Sequence, residues 1–232
     1  MKKSPLDVLI LCGGRGTRLG ALVDEKPKPM MDVGGRPFLE ILLDDAAGRG
    51  YDNFLLLAGY LDQVVARHFE PRGLRVSVEP QPLGTAGALK HAEARFASDP
   101  FLVLNGDSYC PVDLDALVAL LEKSGGVGVM ALTRDPSRQD GGSVVIAPDG
   151  RVTAFVEKGS AGADAYINAG VYVLRRSVLA KIPAGKMVSL EAEIFPTLLS
   201  AGLYGLPVNA PLHDIGTPER LEAFRRSRGA SR

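Results

Sequence analysis

An alternation constrains this chain more than any other feature. Short, almost unbroken apolar runs (Leu6–Cys12, Asn53–Ala58, Leu74–Val78 and Phe101–Asn105) are separated by three segments with the helical period of about 3.6 residues: Phe38–Ala47, Leu61–Phe69 and Thr85–Ala97. A run without polar alternation suits a strand covered on both faces. Strands that alternate with helices imply a mostly parallel sheet wound on both sides. Asp113–Lys123 continues the rhythm as a helix, with Asp113 as N-cap and Leu114, Leu117, Val118 and Leu121 as its apolar stripe. The first half, to about residue 125, is therefore expected to be a doubly wound, Rossmann-like α/β unit.

The rhythm then changes. Val127–Thr133, Ser143–Ile146, Val152–Glu157 and Gly170–Leu174 read as strands, and Pro148-Asp149-Gly150 marks a hairpin. Ser189–Ser200 reads as a helix and Leu203–Asn209 as a strand. Thr217 caps a final helix that has Pro218 at its first position and Glu219 at its positive end. With no repeat or linker, the second half is expected to extend the same sheet. The chain then forms a single α/β domain over residues 1–232, with a mixed, mostly parallel sheet.

Composition narrows the partners. At 232 residues and 46% hydrophobic content the chain can bury a sizeable core. Lys+Arg and Asp+Glu both number 27, so the net charge is zero and gives no electrostatic reason to expect nucleic acid or an anionic membrane. A phosphate ligand would have to be held by local charges. No apolar run approaches the roughly 20 residues of a membrane span, and Val8–Cys12 is short for a signal-peptide core, so a cytoplasmic protein is expected. Cys12 and Cys110 adjoin strand ends and read as buried free thiols.

Gly13-Gly14-Arg15-Gly16-Thr17-Arg18 directly follows the first strand, where glycines let backbone N–H groups approach phosphate oxygens. It is not a dinucleotide fingerprint, because Leu19 stands where a third small residue belongs, nor a Walker loop. Pro27 and Pro29 oppose a helix here, so the loop is expected to run extended to Lys28. Two cations beside such a loop suit a triphosphate, although a basic surface loop would look the same. Asn105-Gly106-Asp107 lies just past the fourth strand, on the side where open α/β sheets bind ligands. A lone Asp there is as often a turn former. Asp214, before Ile215-Gly216-Thr217, supplies a second carboxylate, and two at separate strand ends can share Mg²⁺. Their spacing alone does not bring them together. His68 and His91 fall inside helices, and His213, beside Asp214, receives no role.

In order along residues 6 to 228 stand Gly-Gly-x-Gly-Thr-Arg, Pro-Lys-Pro, Pro-Leu-Gly-Thr-Ala-Gly, Leu-Asn-Gly-Asp, Glu-Lys, Asn-Ala-Gly and Asp-Ile-Gly-Thr-Pro-Glu. Together they resemble the sugar-phosphate nucleotidyltransferases. The segments Gly34–Glu40, Asn105–Tyr109 and Ser189–Glu191 are most similar to the bacterial D-glycero-D-manno-heptose 1-phosphate guanylyltransferases. The resemblance implies a GT-A-like nucleotidyltransferase fold, its nucleotide half at about 1–125 and its sugar half at about 126–232. It implies GTP or another NTP and a sugar 1-phosphate as partners, and Mg²⁺ as cofactor. A homodimer stays open.

Residue by residue, the resemblance implies that Leu11, Gly13, Gly14, Gly16, Thr17 and Gly106 wrap the nucleotide. Arg18 would neutralise the departing phosphates, Lys28 would meet the phosphates near the reacting phosphorus, and Gln81, Gly84 and Thr85 would border the base. Asp107 and Asp214 would hold Mg²⁺, with Arg18, Lys28 and Asp107 as the catalytic set. Glu157 would bind sugar hydroxyls, Lys158 the sugar phosphate, and Asn168 with Gly170 the sugar ring. Gln81 stands where several relatives carry Glu, and its amide offers guanine one acceptor instead of two, so the base stays open; Glu79 could supply the missing acceptor.

The chemistry suits these residue types independently. A sugar phosphate oxygen is already a nucleophile, so catalysis reduces to positioning and charge neutralisation. Alternatives are a mannose 1-phosphate guanylyltransferase, a thymidylyl- or uridylyltransferase, and a silent nucleotide-sugar-binding regulator. A nicotinamide oxidoreductase conflicts with the proline-broken loop.

Overall fold

The structure, a computed structural model, describes residues 4–134, 143–156 and 166–229. Strands β1 (Asp7–Leu11), β2 (Asn53–Ala58), β3 (Arg75–Val78) and β4 (Phe101–Asn105) lie in the order β3-β2-β1-β4, all parallel. Helices α1 (Phe38–Gly48), α2 (Asp62–Phe69), α3 (Gly84–His91) and α4 (Leu114–Ser124) fill the connections. Val8, Leu9 and Ile10 are all 0% exposed, so β1 is covered on both faces, as its unbroken apolar run requires. Val8, Ile10, Leu56 and Leu102 face Phe38, Leu117 and Phe224 on one side. Leu9, Leu55 and Val103 face Leu89, Phe195 and Leu198 on the other. Each such buried Leu or Phe contributes roughly 1.5–3 kcal/mol.

The second half continues the sheet. Strand β9 (Tyr166–Leu174) runs antiparallel between β4 and β6 (Gly128–Thr133), and β10 (Leu203–Pro207) adds parallel to β6. The hairpin of β7 (Ser143–Ile146) and β8 (Val152–Val156) turns at Pro148–Gly150 and pairs with the start of β9. Nine strands thus form one mixed, mostly parallel sheet among the described residues, which matches the expected fold class. Apart from it, β5 (Ser108–Tyr109) pairs antiparallel with β11 (His213–Asp214) just beyond the end of β4. Helix α5 (Phe195–Leu198) packs under the sheet, and α6 (Pro218–Gly229) closes the described chain.

Some boundaries differ from those read in the sequence. The helix expected to reach Ala97 stops at His91, and a 3-10 turn covers Glu93–Arg95. Arg95 there donates to Val76 O at 2.6 Å, and Phe96 turns extended to pack on Phe101, ring centres 4.8 Å apart. The helix expected over Ser189–Ser200 is a π-turn, Leu190–Ile194, continued by α5; Ser189 is its N-cap, accepting from Ala192 N at 3.1 Å. Strand β9 begins at Tyr166, earlier than the expected Gly170. Cys12 and Cys110 are free and buried, as expected. No described helix is long and apolar enough to cross a membrane.

Candidate active site

A cleft of about 720 Å³ opens at the C-terminal ends of β1 and β4. Leu11, Gly13, Gly14 and Gly16 from the sequence-derived set line it, with Lys28, Gln81, Gly84, Thr85 and Asp107. Arg15, Tyr60, Glu79, Asn105 and Met187 line it too.

The segment after β1 is not the extended run expected from its prolines. Thr17–Val23 and Lys28–Met30 are 3-10 turns, the first broken at Gly20 (φ 58°, ψ −136°). Pro29 is tolerated because the first residues of a helical turn have no intrahelical partner for their N–H. Gly16, at φ 68°, takes a left-handed conformation that lets the chain turn against the Lys28 stem. Lys28 is only 7% exposed, and its ammonium donates to Asp107 Oδ2 at 2.5 Å. Such a buried ammonium needs a carboxylate partner. Arg15 lies over the Tyr60 ring, 5.4 Å from its centre. Its place inside the glycine motif was the available signal for it.

Asp107 follows Gly106 in the turn after β4, its side chain 41% exposed toward the cleft. Its own carbonyl accepts from Ile215 N at 3.0 Å, and Ser108 pairs with Asp214 across β5 and β11. The fold therefore brings the two aspartate backbones onto adjoining strands, which spacing could not show. The carboxylates have different partners: Asp214 accepts from Gly216 N at 2.7 Å and from Arg220 Nη1 at 3.2 Å. A Cβ on Gly216 would lie 2.7 Å from Asp214 Oδ1 and 3.4 Å from Arg18 Nη2, so Arg18 stands on the Asp214 shoulder of the cleft. Thr17 precedes it in the same turn. The His213 ring stacks on Tyr109 and packs on Phe224. Beneath Asp107, burial and then the Asp107 charge push the Cys12 thiol far above its ordinary range, so it stays protonated.

The wall formed by residues 79–88 is locked from outside. Val188 O accepts from Ala86 N at 3.0 Å and Gly87 N at 3.3 Å, and Val188 N donates to Leu83 O at 2.8 Å. The Ala86 and Gly87 amides of α3 are thus already satisfied. Gln81 donates its amide N–H to Gly185 O at 3.3 Å. Glu79 packs against Gly13 and Gly59, and its Oε2 accepts from Leu83 N at 3.1 Å. Burial raises the Glu79 carboxyl above its ordinary 4.5, with Leu83 N and His91 opposing. Thr85 lines the cleft, yet its hydroxyl is committed to Glu191 Oε2 at 2.7 Å.

Strand β9 runs beside Asn105, which lines the cleft. Met130 pairs with Tyr172 but Leu132 pairs with Asn168, so β9 bulges between them. Gly170 takes φ 73° in that bulge, where a Cβ would sit 2.7 Å from Ser108 Oγ and 3.0 Å from the Asn105 side chain. Asn168 Oδ1 accepts from Gly170 N at 2.9 Å and holds the bulge. Asn168 and Gly170 are thereby brought beside Asn105, whose Oδ1 is buried without a hydrogen-bond partner among the described residues. Glu157 and Lys158 lie outside the described residues.

The profile of the nucleotidyl transferase family matches residues 7–227, and the chain belongs to that family. The mannose-1-phosphate guanylyltransferase of Mycobacterium tuberculosis is 35% identical over 227 residues, covering 94% of this chain and 63% of that protein. The chain thus spans less than two thirds of that relative's length. HddC from Yersinia pseudotuberculosis, solved in complex with GMP-PN, superposes with a TM-score of 0.84 at 29% identity, covering 96% of this chain and 99% of HddC. A second HddC structure gives 0.81 at 31% identity, with the same coverage.

Proposed function

We propose that this chain transfers GMP from GTP to a sugar 1-phosphate and releases pyrophosphate. A phosphate oxygen of the sugar 1-phosphate forms the new bond to the α-phosphorus. The bond from that phosphorus to the bridging oxygen breaks, and pyrophosphate leaves with the electron pair. The observation that carries this reading is the convergence of a glycine turn, a buried Lys28 and an open Asp107 at one cleft. That set suits a reaction governed by positioning and charge neutralisation, with no side chain needed as nucleophile. The guanylyl choice is supported by the relative from Mycobacterium tuberculosis and by the GMP-PN complex of HddC.

In this reading the Gly13–Gly16 turn faces the phosphates, Arg18 meets the leaving pyrophosphate, and Lys28 follows the reacting phosphate. The residues present fit Mg²⁺, which is commonly held by one or two carboxylates plus substrate phosphates. Asp107 opens to the cleft and Asp214 stands on the adjoining strand, so these two would hold the ion. The ion would supply charge neutralisation at the phosphates. Asn168 and Gly170, with Glu157 and Lys158, take the sugar end. Asn105 lines the cleft next to them.

We favour a manno-configured heptose 1-phosphate as acceptor, on the similarity of Gly34–Glu40, Asn105–Tyr109 and Ser189–Glu191. Mannose 1-phosphate is the second reading, favoured by the 35% identical relative. A pyrophosphate-release screen of ATP, GTP, dTTP and UTP against heptose, mannose and glucose 1-phosphates tests both. GTP with heptose 1-phosphate is expected to give the highest kcat/KM. A win for UTP or dTTP with glucose 1-phosphate would overturn the guanylyl reading.

A further inference from the structure

Ser189-Leu190-Glu191 stands out in the sequence without a role. Its carboxylate sits where three hydroxyls meet: Thr85 Oγ1 at 2.7 Å and Ser189 Oγ at 3.2 Å on Oε2, and the Tyr172 hydroxyl at 3.4 Å on Oε1. Each hydroxyl already accepts a hydrogen bond from an N–H group. Leu190 N donates to Thr85 at 2.7 Å, Ala192 N to Ser189 at 3.1 Å, and Asn168 Nδ2 to Tyr172 at 2.7 Å. A hydroxyl has one proton to give, so all three protons turn toward Glu191, and a carboxylate is the side chain that offers only acceptors. Burial, then the Glu191 charge, push the Tyr172 hydroxyl well above its ordinary value of 10.0, so it keeps its proton.

The chain of bonds has a direction. Thr85 belongs to α3 on the nucleotide wall, and Tyr172 and Asn168 to β9 on the sugar wall. Asn168 in turn holds the Gly170 bulge through Gly170 N. We propose that Glu191 is a positioning residue for the sugar 1-phosphate: through Tyr172 it sets the amide orientation of Asn168 and ties the β9 bulge to α3. The proposal rests on the sugar-nucleotide reading above.

Glu191→Gln tests it, because a Gln amide points N–H groups at hydroxyl protons, and at least one of the three bonds must break. Tyr172→Phe is the second variant; it removes the acceptor of Asn168 and keeps the ring that packs on Phe195. Both should raise KM for the sugar 1-phosphate by about 5- to 30-fold, the equivalent of about 1–2 kcal/mol. The Kd of a non-hydrolysable GTP analogue, measured by calorimetry without sugar, should stay within about twofold. The double variant should be no worse than the worse single, since both cut one chain. A sugar KM within twofold of wild type in both variants overturns the proposal and leaves the guanylyl reading standing. So does a uniform loss of nucleotide affinity, kcat and Tm, which marks a merely structural contact. If wild type releases no pyrophosphate with any pair in the screen, both readings fall together.

Discussion

The two regions proposed to take the phosphates and the sugar are built differently. The first is backbone and charge: a glycine turn, a buried lysine and one carboxylate, all within reach of the ends of two parallel strands. The second is a relay of neutral and acidic side chains, Asn168, Tyr172, Glu191 and Thr85, set around a bulge in an antiparallel strand. A backbone cradle fits any triphosphate, because every NTP carries the same phosphates. A side-chain relay can be retuned one residue at a time. Damage to the first wall should therefore appear in kcat and damage to the second in KM.

The largest test of that division is Asp107→Asn, which should lower kcat by about 10²-fold or more, as losses of electrostatic stabilisation in such sites do. Lys28 loses its partner in this variant and stays buried, so Tm should fall as well. Adding Lys28→Met should recover Tm without recovering turnover; recovery of both would remove Asp107 from the chemistry.

Glu79→Gln probes recognition of the base. An ionised Glu79 can accept from guanine N1–H and N2–H together, and its loss should cut the GTP preference over ATP by about 5- to 150-fold. The wild-type preference should also fall with acid. Burial raises the Glu79 carboxyl above 4.5, so on lowering pH it protonates, and loses its acceptor, earlier than an ordinary glutamate. A preference that is flat down to pH 4.5 would clear Glu79 of this role.

On the sugar wall, Gly170→Ala forces a Cβ into a left-handed residue against Ser108 and Asn105. It should cost roughly 1–3 kcal/mol in stability and raise the sugar KM while sparing nucleotide Kd, by denaturant titration and calorimetry. The smallest effect belongs far from both walls. Asp113 caps α4 by accepting from Ala116 N at 3.1 Å, so Asp113→Ala should cost about 1 kcal/mol and leave both KM values alone. A kinetic change there would mean that the walls are not separable from global stability.

The sequence made the parallel block legible because burial on both faces writes itself as unbroken apolar runs such as Val8–Ile10. The Asp113 cap was equally readable, since it acts over three residues. The Thr17–Val23 turn was hidden: Pro27 and Pro29 argue against an α-helix but say nothing of 3-10 turns. Glu40, part of a motif that suggested an acceptor sugar, contacts no site residue; it bonds His68 at 2.6 Å and Arg72, and so fastens α1 to α2. The role of Glu191 is not legible in the sequence, because its partner Thr85 lies 106 positions away, beyond any local pattern. The meeting of the Asp107 and Asp214 strands was closed to the sequence for the same reason.

The pairing of Ile215 N with Asp107 O, and of Val188 O with the Ala86 and Gly87 amides of α3, has a consequence for how the protein is made. The four parallel strands are complete once residue 105 has been synthesised, yet the rim of the cleft waits for residues 188 and 215. The parallel block is therefore laid down before β6, β9 and β10 can extend the sheet and before the rim of the cleft can close.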